Sequence, residues 1–263
     1  MPRFTLPSGL QIDYIDLGPR DGTPVVFLHG YLDSWRIWEA VLQHLDPGYR
    51  VVAPTLRGFG DSDKPEEGYD MASFVEDIDQ FLTGMSLGSV IVVGHSMGGL
   101  IAHHLAVAHP HHVRKLVLVG TAATGAGNQN LAGSALDAVL SLADPVPAGF
   151  AREAQCEQIV TPVPDARLDC IVHESEKVPA RVWKGAMLGM MHEDHRALLH
   201  RIEAPTLVCY GDGDIFFTPR DQEELTNLIR DARFRLYPSV GHGIQWEVPS
   251  DLARDLNAFF RAT

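Results

Sequence analysis

The chain has 263 residues, of which 45% are hydrophobic, and its formal net charge at pH 7 is −13. This length and composition predict one large globular domain, and the acidic balance disfavours binding to nucleic acids and to anionic membrane surfaces. The sequence shows no apolar signal-peptide core and no apolar run long enough to cross a bilayer. We therefore expect neither a signal peptide nor a transmembrane helix. The three cysteines are odd in number and far apart. We therefore expect no disulfide framework and a reducing, cytoplasmic location.

Seven segments predict β-strands. The first, QIDYIDLG, alternates apolar and polar side chains, as a half-buried strand does. The others are PVVFLHG (24–30), RVVAP (50–54), SVIVVGH (89–95), RKLVLVG (114–120), PTLVCYG (205–211) and ARFRLYP (232–238). The first three of these are apolar on both faces, which is typical of inner strands of a parallel sheet covered by helices. Strands that alternate with helices predict an α/β fold.

Two helices show clear starting signals. DMASFVEDIDQFLTGM predicts an amphipathic helix with Asp70 as its N-cap. Its predicted apolar stripe consists of Phe74, Val75, Ile78, Phe81 and Leu82. Further along, Thr218 predicts a second helix start, with Pro219 at the first position and Asp221 completing a capping box.

One long stretch interrupts the alternation of strands and helices. Between residues 124 and 201 no strand is predicted, and several prolines divide the segment into short helices. We interpret 124–201 as a helical lid inserted between two strands of a core formed by 1–123 and 202–263. Trp183 and Met187 lie in ARVWKGAMLGMM and either line a pocket beneath this lid or pack within it.

Ser96 is the candidate nucleophile. It lies at the centre of Gly-His-Ser-Met-Gly, after a predicted strand and before a predicted helix. This pattern is the nucleophile elbow, in which a tight turn exposes the serine hydroxyl and glycines avoid a clash. The turn also puts Ser96 at a helix N-terminus, where developing negative charge is stabilised.

His242 is the candidate base, because a serine hydroxyl is a poor nucleophile without one. It lies in a glycine-flanked loop after a strand, as Ser96 does, and such loops carry the reactive groups of parallel α/β sheets. Of the thirteen histidines, five crowd HHLAVAHPHH. We interpret those five as a solvated helix face and loop, and we expect no metal site.

The base needs an acid to orient it, and the loop GDGDIFFTP offers Asp212 and Asp214. Asp212 directly precedes Gly213, and Asp-Gly is a strong turn dipeptide. The turn role therefore fits Asp212 better, and Asp214 is the preferred acid. The resulting chain order is Ser, Asp, His.

An acyl-transfer intermediate also needs backbone N–H donors for its oxyanion. We predict one donor at Met97, the residue after the nucleophile. The second is predicted at Tyr31 in FLHGYLDSW, where Gly30 lets the loop approach the site closely. Tyr31 and Trp35 are also expected to place aromatic surface at the mouth of the site.

These landmarks together resemble the α/β-hydrolase superfamily over nearly the whole chain. The matching motifs are HGYLDSW, RGFGDSDKP, GHSMGG, GDGDIFFTP and GHGIQWEVP, in the family's order. The resemblance implies a mostly parallel eight-stranded sheet flanked by helices, with a helical lid after the sixth strand. It also supports Asp214 as the acid.

The resemblance narrows the reaction only in part. Similar epoxide hydrolases and haloalkane dehalogenases use an aspartate nucleophile, so Ser96 disfavours both. We therefore expect hydrolysis of a small-to-medium carboxylic ester or lactone by Ser96, His242 and Asp214. Trp35, Trp183 and Met187 are expected to contact the substrate. Neither a cofactor nor a metal is expected. The alternatives are a carbon–carbon bond hydrolase, a perhydrolase, a cofactor-free lyase, and a small-molecule sensor with little turnover; the oligomeric state is left open.

Overall fold

The computed structural model describes residues 1–147 and 149–262. Within them, eight strands form one sheet in the order β1-β2-β4-β3-β5-β6-β7-β8. The strands are β1 (Arg3–Thr5), β2 (Gln11–Leu17), β3 (Thr23–Leu28), β4 (Tyr49–Pro54), β5 (Val90–His95), β6 (Val113–Val119), β7 (Thr206–Gly211) and β8 (Ala232–Tyr237). The pairs β1–β2 and β2–β4 are antiparallel, and all other pairs are parallel. The expected mostly parallel eight-stranded sheet is confirmed.

The burial of the strands explains why the sequence predicted them well. Every residue of β5 and β7 is buried, since helices cover both faces of these inner strands. The edge strand β8 is exposed over most of its length. All seven predicted strands are present, and only β1 was missed, because three residues are too few to show an alternating pattern.

Ten helices accompany the sheet in the described residues. They are α1 (Glu39–Leu42), α2 (Met71–Gly84), α3 (Met97–Ala108), α4 (Ser134–Ser141), α5 (Phe150–Cys156), α6 (Asp165–Glu176), α7 (Ala180–Met191), α8 (Pro219–Leu228), α9 (Ile244–Glu247) and α10 (Pro249–Arg261). Three 3₁₀ turns cover Trp35–Trp38, Pro110–His112 and Arg196–Arg201. Helices α2 and α3 pack on one face of the sheet, and α1 and α10 on the other.

Both predicted helix starts are confirmed. Asp70 caps α2 and accepts a hydrogen bond from the Ser73 backbone N–H at 2.9 Å. The five residues of the predicted apolar stripe of α2 are all buried. Thr218 and Asp221 form the capping box at the start of α8.

The four helices α4 to α7 lie between β6 and β7, in the stretch for which the sequence predicts an insertion. We call residues 124–201 the inserted segment. Its two ends meet, because the backbone amides of Gly125 and Ala126 both donate to the Glu193 carbonyl. None of the helices in the described part of the chain is both long and apolar enough to span a membrane.

Candidate active site

Ser96 lies at a strained turn between β5 and α3. Its φ of 51° and ψ of −117° are unusual for a residue with a side chain. The turn is held by the backbone, since the Ser96 N–H donates to the Val119 carbonyl at 3.0 Å. The Thr121 hydroxyl donates to the Ser96 carbonyl at 2.9 Å. These bonds fix the backbone in the conformation that exposes the serine at the carboxyl end of β5.

The flanking glycines are required by the close approach of two backbone segments. A Cβ atom at Gly94 would lie 2.3 Å from the Gly98 carbonyl oxygen. A Cβ atom at Gly98 would lie 2.5 Å from the carbonyl oxygens of both Leu28 and His29. No side chain fits at such distances, so the elbow needs glycine at both positions.

His242 and Asp214 form a buried pair. The His242 Nδ1 atom lies 2.7 Å from Asp214 Oδ2. The other carboxylate oxygen of Asp214 accepts hydrogen bonds from the backbone amides of Phe216 and Phe217, at 2.8 and 3.1 Å. A carboxylate held in this way accepts a hydrogen bond from the protonated Nδ1 of His242. The lone pair of the neutral imidazole is then on Nε2.

The two aspartates of the GDGD loop have different roles. Asp212 points away from His242, and its Oδ1 accepts from the Ser239 backbone N–H at 2.6 Å. It therefore closes the turn after β8. The structure places Asp214, and not Asp212, against the histidine.

The loop that carries His242 is fastened to the inserted segment. The His242 N–H donates to the Gln158 carbonyl at 3.0 Å. The carboxylate of Glu247 accepts from the amides of Gly241, Val160 and Thr161, at 2.9, 3.1 and 2.5 Å. Sequence reasoning did not single out Glu247. The sequence feature that could have indicated its role is an acidic residue within the mostly apolar stretch IQWEV, directly before the last helix.

The two backbone amides predicted to bind an oxyanion are those of Tyr31 and Met97. Neither the Tyr31 N–H nor the Met97 N–H donates to an acceptor within the described residues. Met97 is the first residue of α3, so its amide faces out from the positive end of the helix dipole. The Tyr31 hydroxyl donates to the Trp183 carbonyl at 2.7 Å, which ties this loop to α7.

A buried histidine shapes the Tyr31 loop. The His29 Nε2 atom accepts from the Leu56 backbone N–H at 2.9 Å, and its Nδ1 lies 2.8 Å from the Gly30 carbonyl oxygen. The proton of the neutral ring is therefore on Nδ1, which donates to that carbonyl. Burial lowers the pKa of His29 to about 4, so the ring stays neutral at pH 7.

A cavity of about 490 Å³ opens above Ser96. Ser96 and His242 line it, together with Tyr31, Trp183 and Met187. Trp183 is fully buried and contacts the Tyr31 ring edge-on, with the centroids 5.9 Å apart. Both residues that the sequence proposed from α7 therefore border the site.

Trp35 is not part of this cavity. Its side chain is buried in the apolar core that includes Phe27 and Trp38. Trp35 begins the 3₁₀ turn Trp35–Trp38, in which Ile37 and Trp38 are buried as well. The structure therefore gives no support to the prediction that Trp35 contacts substrate, which stays a prediction.

The model of the α/β-hydrolase fold family matches residues 23–156, which is half of the chain. The chain belongs to this family. A non-heme chloroperoxidase from Streptomyces lividans is 30% identical over the full length of both chains. Epoxide hydrolase 3 from Xenopus tropicalis is 26% identical over 97% of this chain and 76% of its own. The structure of an esterase from a Rhodococcus species has a TM-score of 0.88 and 28% identity, covering 99% of this chain and 98% of that one. Family membership and the esterase relative support hydrolase activity.

In this α/β hydrolase, Asp33 is a cavity residue that sequence reasoning missed. Its Oδ1 accepts from the Gln155 side-chain amide at 3.2 Å, and its Oδ2 lies 4.0 Å from Nδ1 of His95. Burial raises the pKa of Asp33 well above its ordinary value, which favours the neutral acid. The sequence feature that could have indicated Asp33 is an acidic residue in the motif HGYLDSW, two positions after Tyr31.

The interpretation of the five crowded histidines as solvated is wrong for two of them. His103 is fully buried, because the inserted segment of this α/β hydrolase covers that face of α3 and brings His195 against it. His112 is buried as well, and its Nε2 lies 3.2 Å from Asp79. Among residues 1–147 and 149–262, two groups of side chains could hold a metal ion: His103 with His104 and His195, and Asp79 with His111 and His112.

Proposed function

We propose that this protein is a serine hydrolase that cleaves carboxylic esters or lactones through an acyl-enzyme. The observation that carries the proposal is the position of Ser96. It lies at a strained, glycine-flanked turn and lines the same cavity as His242, whose Nδ1 is held 2.7 Å from Asp214. The candidate nucleophile and the candidate base therefore border one space that can hold a substrate, and the candidate acid contacts the base from outside that space.

The proposed reaction proceeds in two halves. His242 Nε2 takes the proton of the Ser96 hydroxyl while Oγ attacks the carbonyl carbon, and the Tyr31 and Met97 amides bind the oxyanion. The imidazolium then protonates the alkoxide, so that the alcohol leaves and an acyl-Ser96 ester forms. Water, deprotonated by the same Nε2, hydrolyses that ester and releases the acid. In a lactone the departing alcohol stays attached to the acyl group.

Ester or lactone hydrolysis fits the nucleophile better than epoxide opening does. The similarity to epoxide hydrolase 3 covers most of this chain. However, Ser96 stands where epoxide hydrolases of this superfamily have an aspartate. A serine attacks an acyl carbon and can be regenerated by water, so acyl transfer is the reaction that this site supports.

The cavity suggests a small-to-medium, mainly apolar substrate. Its volume of about 490 Å³ suits one small molecule, and its walls include Trp183, Met187 and Phe150. We propose that the inserted segment 124–201 acts as the lid of this cavity. Asp33 offers a buried carboxyl group that can donate a hydrogen bond to a substrate oxygen. No cofactor or metal takes part in the proposed chemistry.

The test is turnover of p-nitrophenyl esters of increasing acyl length and of several lactones. Wild type and Ser96→Ala are compared, and Ser134→Ala serves as the control because Ser134 lines the same cavity. We expect turnover in wild type and Ser134→Ala, and none in Ser96→Ala with an unchanged thermal midpoint. Turnover at the wild-type rate in Ser96→Ala would refute the proposal.

Perhydrolysis is the second candidate, because the chloroperoxidase relative matches the whole chain. In that reaction hydrogen peroxide, instead of water, attacks the acyl-Ser96 ester and gives a peracid. Adding peroxide to the same assays separates the two functions. Peracid formation that exceeds hydrolysis would favour the perhydrolase.

A further inference from the structure

Two buried polar side chains face each other in the wall of the cavity. Asp33 and His95 both line the cavity, and both are almost completely buried. The Oδ2 atom of Asp33 lies 4.0 Å from the Nδ1 atom of His95. This distance is too long for a direct hydrogen bond, but one oxygen atom at about 2.8 Å from each of them can contact both. We call the space between these two atoms the Asp33–His95 gap.

His95 presents a lone pair to the gap. Its Nε2 lies 3.1 Å from the His242 carbonyl oxygen, so Nε2 carries the ring proton and donates a hydrogen bond to that carbonyl. Burial lowers the pKa of His95 well below its ordinary value, and the neighbouring His242 lowers it further. The ring is therefore neutral, and its Nδ1 is an acceptor. Within residues 1–147 and 149–262 this buried Nδ1 has no hydrogen-bond partner.

Asp33 presents a donor to the same gap. Its Oδ1 accepts from the Gln155 side-chain amide at 3.2 Å. Burial raises the pKa of Asp33 well above its ordinary value and outweighs the hydrogen bonds from Gln155 and the Gly30 backbone, which lower it. The neutral acid is therefore favoured. Because Oδ1 accepts, the proton of this acid is on Oδ2, the oxygen that faces His95.

Hydrogen bonds from the inserted segment fix the carboxyl group in this orientation. The Oε1 atom of Gln155 accepts from the Gln158 amide at 2.5 Å, and its Nε2 donates to the Ser175 hydroxyl at 2.8 Å as well as to Asp33. The Ser175 hydroxyl donates in turn to the Leu32 carbonyl at 3.0 Å. The Gln155 side chain is completely buried, and these partners determine which way its amide points. The Oδ2 atom of Asp33 is therefore left for a partner in the gap.

Gly30 keeps the gap open. A Cβ atom at Gly30 would lie 2.8 Å from His95 Nδ1 and 3.0 Å from Asp33 Oδ2, so any side chain there would fill the space. Gly30 directly precedes Tyr31, whose amide is proposed to bind the oxyanion, and His95 directly precedes Ser96. A substrate group that occupies the gap therefore lies close to the bond that is cleaved.

We propose that Asp33 and His95 bind a free hydroxyl group of the substrate. The hydroxyl oxygen accepts a hydrogen bond from Oδ2 of Asp33, and the hydroxyl proton is donated to Nδ1 of His95. A hydroxyl group is both a donor and an acceptor, as this pair requires, whereas an ether oxygen cannot donate. The pair is a polar point in a cavity whose walls include Trp183 and Met187. The inference rests on the proposed hydrolysis and names its substrate class, an ester or lactone that carries an additional hydroxyl group.

The test compares esters that differ by one hydroxyl group. Ethyl butyrate has none, each enantiomer of ethyl 3-hydroxybutyrate has one on the acyl side, and 2-hydroxyethyl butyrate has one on the alcohol side. For wild type we expect kcat/KM about tenfold or more higher for one hydroxylated ester than for ethyl butyrate, because two hydrogen bonds form. The preferred ester identifies the side that enters the gap. Equal kcat/KM for all these esters would overturn the proposal and leave ester hydrolysis intact.

Two variants of Asp33 separate hydrogen bonding from packing. The amide of Asp33→Asn can accept from Gln155 and donate to the substrate, so the preference should stay within about threefold of wild type. Asp33→Leu can do neither, so the preference should be lost. Ser175→Ala is the matched control, because Ser175 contacts Gln155 but lies outside the cavity lining. It should lower the thermal midpoint and keep the preference. A preference that persists in Asp33→Leu would overturn the proposal.

Binding to Ser96→Ala gives a readout that does not depend on turnover. Titration calorimetry should give a Kd about tenfold lower for one hydroxylated ester than for ethyl butyrate. Imidazole ¹⁵N spectra of the same samples should show the Nδ1 resonance of His95 shifting with that ester, because Nδ1 then accepts a hydrogen bond. Equal Kd values for all the esters, with this resonance unmoved, would overturn the proposal whether or not wild type cleaves esters.

Discussion

The Oδ2 atom of Asp214 lies 2.7 Å from Nδ1 of His242, and both side chains are almost completely buried. This short contact joins the loop after β7 to the loop after β8. The hydrogen bonds from the Phe216 and Phe217 backbone amides to the other carboxylate oxygen keep Asp214 from rotating away. The proposed base is therefore held in one tautomer before any substrate arrives.

Asp214→Asn should lower kcat/KM by about 10⁴, because the amide favours the wrong tautomer of His242. Asp212→Asn is the matched control in the same loop and should have less than about a tenfold effect, since Asp212 only closes a turn. Steady-state kinetics on the best ester of the panel measures both. The reverse ranking would move the acid to Asp212.

Tyr31→Phe separates the backbone of Tyr31 from its side chain. The hydroxyl bond to the Trp183 carbonyl is lost, so we expect the free energy of unfolding to fall by about 1 kcal/mol. The amide proposed for the oxyanion is retained, so kcat should change less than about threefold. Urea denaturation and ester kinetics give the two values. A large loss of kcat at unchanged stability would assign the hydroxyl itself to catalysis.

Met187→Ala should shift substrate preference toward longer or bulkier acyl groups, because Met187 lines the cavity. Leu188→Ala is the control, since Leu188 is the next residue on α7 and lies outside the cavity lining. The ratio of kcat/KM between long and short p-nitrophenyl esters measures the preference. Equal ratios in both variants and wild type would make Met187 a packing residue of the inserted segment.

Asp33→Asn should stabilise the protein increasingly as pH rises. Burial raises the pKa of Asp33 in the folded state, so the folded chain holds a proton that the unfolded chain releases above about pH 4. The stability contributed by Asp33 is therefore complete below that pH and is lost as pH rises through the folded-state pKa. Asparagine does not titrate and escapes this loss.

Urea denaturation of wild type and Asp33→Asn at pH 5, 7 and 8 measures the effect. The difference in the free energy of unfolding should grow in favour of the variant from pH 5 upward until the folded-state pKa is passed. A difference that stays constant with pH would show that the Asp33 carboxyl titrates as it does in the unfolded chain.

The sequence predicted most of the fold because its inner strands carry apolar, β-branched runs that are buried on both faces. The position of Ser96 could also be predicted from the sequence, because a tight turn requires glycine at positions 94 and 98 and both glycines are visible beside the serine. Likewise, the turn chemistry of Asp-Gly separates Asp212 from Asp214. In each of these cases the information is local in the chain.

The parts that the sequence did not reveal depend on contacts between distant segments. Trp35 is buried in the same apolar core as Phe27 and Trp38, which come from a different strand and from the 3₁₀ turn. Glu247 acquires its role only because residues 160 and 161 reach it from the inserted segment. His103 was predicted to be solvated because the residues near it in sequence do not show that His195, 92 residues away, covers it.

Labelling with an irreversible organophosphonate tests the central claim most directly, because its serine adduct resembles the tetrahedral intermediate. The proposed mechanism predicts one adduct per chain, located on Ser96 by peptide mass spectrometry, with ester turnover lost in proportion to labelling. Ser134→Ala should label like wild type, and His242→Gln should label far more slowly. An adduct on another residue, or full turnover after complete labelling of Ser96, would contradict the assignment of Ser96 as the nucleophile.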